Sequence, residues 1–63
     1  MKAAEWIDRA KEEHGWKSDY KAAQELGLSR NAISNYRGGL RLTFDEDTSI
    51  KVANALGERP EAV

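Results

Sequence analysis

The chain has 63 residues, a formal net charge of −1 and no cysteine. That length implies one domain, 1–63, with a small core that needs close helix packing or a partner subunit, since disulfides and thiolate metal sites are excluded. No stretch approaches the ~20 apolar residues of a membrane span, the first residues lack the apolar centre of a signal peptide, and the missing cysteines fit a reducing cytoplasm.

No alternating run of β-branched residues and no hairpin dipeptide occurs, so the sequence predicts helices joined by short turns. Met1 reads as a natural N-terminus. The first helix runs from about Lys2 to His14, with Ala3, Trp6, Ile7 and Ala10 at i, i+3, i+4 and i+7 as one apolar stripe. Gly15 supplies a stop. Trp6 and Trp16 read as packing residues, and His14 as a lone ring at a helix end, where the dipole favours positive charge. Ser18 caps a second helix, with Asp19 in its first turn and Ala22, Ala23 and Leu26 as its buried face. Gly27 ends it.

Ser29 caps a third helix over about 29–37. Ile33 and Tyr36 face inward, while Arg30, Asn31, Ser34 and Asn35 face elsewhere. Gly38 and Gly39 stop it. Thr43 and Glu46 have capping-box spacing for a fourth helix, whose expected core stripe is Ile50, Ala53 and Leu56, flanked by Val52 and Phe44. Gly57 closes that helix, and Pro60 starts a last short turn. No internal repeat or low-complexity segment is present.

Charge is unevenly distributed. Residues 17–41 carry Lys17, Lys21, Arg30, Arg37 and Arg41 against Asp19 and Glu25, whereas residues 42–63 carry Lys51 and Arg59 against Asp45, Glu46, Asp47, Glu58 and Glu61. A basic middle can meet phosphate even in a slightly acidic chain, although uneven charge alone is also ordinary scatter.

Residues 19–38 are the informative stretch. Two short helices meet at Leu26-Gly27-Leu28-Ser29, the turn length of a helix-turn-helix. Counting from Asp19, Ala23 stands at position 5, where a larger side chain would push the helices apart. Gly27 stands at position 9, where the turn demands a left-handed backbone, and Ile33 at position 15 plugs the angle with Leu28.

In these residues, from Asp19 through Gly39 and again at Lys51-Val-Ala-Asn-Ala-Leu-Gly57, the chain resembles the Cro/repressor-type helix-turn-helix family. The resemblance implies an all-α, lambda-repressor-like domain of about five short helices. It also implies a phage, prophage or bacterial transcription regulator, a Cro-like repressor in the cytoplasm of a bacterial host cell. The third helix of such a domain docks in the major groove of double-stranded DNA, usually as a homodimer over an inverted repeat. Carried over by position, Ser29, Arg30, Asn31, Ser34 and Asn35 become the base-reading residues. The chemistry agrees, because arginine pairs twice with a guanine edge and asparagine twice with adenine. Lys17, Ser18, Tyr20, Lys21, Arg37 and Arg41 suit phosphate contacts. The family commonly has a phosphate-holding glutamine where this chain has Asp19.

Each of these residues also has a plainer reading. Arg30, Asn31, Ser34 and Asn35 match an ordinary solvated face if taken singly, and Tyr36 shares the core side with Ile33. Leu40, Leu42 and Phe44 either form a dimer interface or close the core beneath the third helix. The Glu12-Glu13 and Asp45-Glu46-Asp47 acids read as solvated helix ends rather than a metal site. No nucleophile–base pair and no phosphate-cradling glycine loop occurs, so the sequence gives no basis for an enzyme, a cofactor or a membrane partner. The competing function is a protein–protein interaction module that keeps the helix-turn-helix fold without binding DNA.

Overall fold

The apolar stripe on the first segment becomes α1, Ala3–His14, which buries Ala3, Trp6, Ile7 and Ala10. The computed structural model describes residues 2–63, so Met1, and the reading of it as a natural N-terminus, lie outside the described residues. Helix α1 has no side-chain cap. Its first N–H is met from a distance instead, by the Leu42 carbonyl at 2.8 Å from Ala3 N, which ties the later loop to the start of the chain.

Helices α2, Asp19–Leu26, and α3, Arg30–Arg37, each begin on a serine hydroxyl. Ser18 Oγ accepts from the Lys21 N–H, and Ser29 Oγ from the Ala32 N–H, both at 3.1 Å, so each satisfies one of the orphan donors of a helix start. Between them Gly27 has φ +70°, the left-handed conformation in which a Cβ would be strained. The Leu28 N–H folds back to Ala23 O at 2.8 Å.

Helix α4 spans Glu46–Leu56 and corrects the sequence reading twice. Its cap is Asp45, whose carboxylate accepts from the Thr48 N–H at 3.0 Å, rather than the Thr43–Glu46 pair. Phe44 explains the later start. It turns inward and meets Tyr36 edge to face at 5.0 Å, so the chain becomes helical only after it. The buried stripe is Thr48, Val52, Ala53 and Leu56, while Ile50 is 40 % exposed. At about 100° per residue Ile50 and Val52 stand on nearly opposite sides, and only one can face α1. A single 3-10 turn, Pro60–Ala62, follows, so the described residues hold four α-helices and this turn rather than five helices. No strand occurs among them.

Two connected clusters form the core. Ala3, Ile7, Ala22, Ala23, Ile33 and Tyr36 join α1 to α2 and α3. Trp6, Ala10, Leu26, Val52 and Leu56 join α1 and α2 to α4. Trp16, Leu28 and Phe44 border both clusters. The radius of gyration is 10.2 Å, against about 10.6 Å for a compact domain of this length. No described helix is long and apolar enough to cross a membrane.

Candidate nucleic-acid interface

The burial of Ile33 and Tyr36 determines what α3 shows to solvent. Arg30, Asn31 and Ser34 are exposed on the side away from them, and Asn35 is half-buried at its edge. Ser29, exposed at the head of the helix, spends one lone pair on the cap and keeps its hydroxyl hydrogen to donate. Arg30, Asn31 and Ser34 therefore share one outer face with Asn35 at its edge, while Ser29, in line with Ile33 and Tyr36 by its spacing, stands at the head of the helix, whose first turn carries no acidic side chain.

The six expected phosphate-facing residues divide. Lys17, Ser18, Tyr20 and Lys21 surround the start of α2 and are exposed, Tyr20 by 64 %. Lys21 pairs with Glu25 at 3.0 Å, one turn along the helix, where both side chains stay well solvated and free to part. Arg41 is exposed, with its guanidinium carbon 5.9 Å from the centroid of the Tyr36 ring.

Arg37 is placed differently from the expectation. Its Nε and Nη2 donate to Asp19 Oδ2 and Oδ1 at 2.9 and 2.8 Å. Nη2 also donates to Asp8 Oδ1 at 2.6 Å, and Nη1 to the Ala4 carbonyl at 3.4 Å. Lys11 adds a second cation to Asp19, Nζ to Oδ1 at 2.9 Å. Arg37 first, then Lys11, hold the Asp19 carboxyl down to about 2 from its ordinary 3.8, against the opposing pull of burial. Arg37 also draws Asp8 below 3.8, and the two aspartates raise Arg37 in turn. The guanidinium thus faces three carboxylate oxygens and a carbonyl and is left only partly solvated. Sequence reading missed this because Asp8, Asp19 and Arg37 lie on three helices, and nothing local pairs them.

The Leu40–Phe44 loop divides in the same way. Phe44 closes the core, whereas Leu40 is 81 % and Leu42 53 % exposed. His14 binds the Ala55 carbonyl near the end of α4 through Nε2 and stacks on Trp16 at 4.7 Å, tying the ends of α1 and α4 together. An open cleft of about 630 Å³ lies beside this pair, lined in part by Gln24, Gly27, Lys51 and Asn54, and shares no residue with the expected interface. Among the described residues no three His, Asp or Glu side chains are gathered as a metal ion would require.

The class these observations define is a small all-helical domain that presents one polar helix face. Compared with protein-family models, curated proteins and solved structures, the chain gives no match.

Proposed function

We propose that the chain is a sequence-specific double-stranded DNA-binding regulator of the Cro/repressor-type helix-turn-helix kind, reading the major groove with α3. The observation that carries this reading is the outer face of α3, with Arg30, Asn31 and Ser34 exposed opposite buried Ile33 and Tyr36, behind a serine-capped turn. Arginine and asparagine are the side chains that pair twice with guanine and adenine edges. Exposed Lys17, Lys21 and Arg41 supply cations, and the capped start of α2 supplies N–H groups for phosphate. Arg37 is the weakest member of the expected phosphate set, because four of its five N–H groups are engaged by Asp8, Asp19 and Ala4. A single helix touches few bases, so the reading includes a homodimer on an inverted repeat, with exposed Leu40 and Leu42 as its contact.

The test is a selection from a random duplex library at moderate salt. The expected result is an enriched short inverted repeat whose binding is lost on Arg30→Ala. An enriched half-site without symmetry keeps DNA and removes the dimer. A folded, helical sample that enriches nothing overturns the regulator and favours a protein-interaction module.

A further inference from the structure

Helices α2 and α3 are joined covalently at one end only, through Gly27, Leu28 and Ser29. At the far end stand Asp19, the first residue of α2, and Arg37, the last residue of α3. In the core cluster that joins the two helices, α2 contributes Ala22 and Ala23 and α3 contributes Ile33 and Tyr36. Alanines allow close approach, but they lack the bulk that interlocks ridges and grooves and so fixes a crossing angle.

Resting on the reading of α3 as the DNA-facing helix, we propose that Arg37 is a positioning residue. Its guanidinium, forked onto Asp19 and tied to α1 through Asp8 and the Ala4 carbonyl, sets how α3 lies and thereby serves base-specific binding in particular. Two parallel bonds from a planar guanidinium fix orientation as well as distance, which a lysine ammonium cannot do. Three helices converge on this one group. It sits at the opposite end of α3 from Ser29, Arg30 and Asn31, about 9–12 Å away along an eight-residue helix. A tilt permitted at that end displaces the base-reading end. Bidentate hydrogen bonds to base edges tolerate little displacement, whereas flexible cations on phosphates tolerate it well.

The charge of Asp19 makes the proposal testable by sign. On electrostatics alone, removing a carboxylate from the head of α2 tightens binding to every duplex. As the anchor of Arg37, its removal weakens binding to the selected duplex and leaves a scrambled one as tight or tighter.

The experiment measures binding of the full chain, Arg37→Lys, Arg37→Gln and Asp19→Asn to the selected duplex and to a scrambled duplex. Measurements run across a salt series, at a temperature where circular dichroism shows each protein fully helical. The expected result for Arg37→Lys and Asp19→Asn is at least a tenfold loss on the selected duplex. Scrambled binding should not weaken, and the salt slope of Arg37→Lys should be unchanged. If Arg37→Gln does not fold, Arg37→Lys, which keeps charge and bulk, decides alone. Unchanged specific affinity in folded variants overturns the proposal and leaves Arg37 a stabilising residue only. Equal losses on both duplexes for Arg37→Gln, with the slope reduced by about one phosphate, overturn it in favour of direct DNA contact. A wild-type chain that does not distinguish the duplexes overturns the DNA reading and this proposal together. Discrimination by wild type with unaffected variants overturns this proposal alone.

Discussion

On the proposed DNA-binding reading a carboxylate at the head of α2 is unexpected, and its partners account for it. Asp19 is neutralised by Arg37 and Lys11, with its ionised form favoured down to about 2. Its folded value lies below its ordinary 3.8, so its contribution to stability is complete above about pH 4 and disappears as pH falls through 2. Both side chains are partly solvated, and after screening the contribution is about 1 kcal/mol. Urea unfolding from pH 6 to pH 2 checks this. Asp19→Asn should show a shallower loss of stability below pH 4 than wild type, and parallel profiles would rule out a stabilising pair. At the turn, Gly27→Ala should cost about 1 kcal/mol or more, because φ is +70°. Among the described residues the only side chain near the added Cβ is the flexible end of Lys51, 3.3 Å away, so the cost is in the backbone. An unchanged urea midpoint would show that this turn accepts a side chain without strain.

The elements differ in how strictly their sequence determines them. In α1, α2 and α3 the apolar positions leave only one inward face. In α4, Ile50 and Val52 compete for the interior, and burial goes to Val52, at 0 % exposure. Val52 fits among Trp6, Ala10, Leu26 and Leu56, and the Asp45 cap starts the helix in the matching register. Val52→Ala should therefore cost about 2 kcal/mol, while Ile50→Ser should change stability by less than about 0.5 kcal/mol. Thermal or urea denaturation distinguishes these, and the reverse order would restore the stripe read from the sequence. Asp45→Ala should lower the urea midpoint and Thr43→Ala should leave it nearly unchanged, since the Asp45 carboxylate receives the Thr48 N–H.

At the scale of the whole molecule, the intramolecular ion pairs alter what the charge count implies. Residues 17–41 look basic, yet Arg37 is tied to aspartates, and Lys21 shares its charge with Glu25 through a solvated pair that can part. Few cations remain for phosphate, so duplex affinity should depend only shallowly on salt, with a slope of about 0.9 per phosphate neutralised. Arg30→Ala and Asn31→Ala should each remove about 1–3 kcal/mol of discrimination at unchanged helicity. A steep slope without sequence preference would argue for a non-specific binder. The exposed pair Leu40 and Leu42 belongs to the same scale. Leu40→Ser with Leu42→Ser should convert a dimer to a monomer without loss of helix, as mass in solution would report. A wild-type chain that is monomeric both free and on its duplex would remove the interface.

Local chemistry determined what sequence could determine. Serine caps at Ser18 and Ser29, a left-handed glycine at Gly27 and a 3.6-residue apolar period set α1, α2 and α3 and the outer polar face of α3, because each acts within a few residues. Tertiary structure decided what needed elements far apart in the chain. It placed Phe44 against Tyr36 and so moved the start of α4, and it chose Val52 over Ile50 by the space α1 and α2 leave. It also brought Asp8, Asp19 and Arg37 together from three helices. An arginine at a helix end has the same local signature whether it meets a phosphate or two aspartates, and only the packing of α1 and α2 against α3 fixes which.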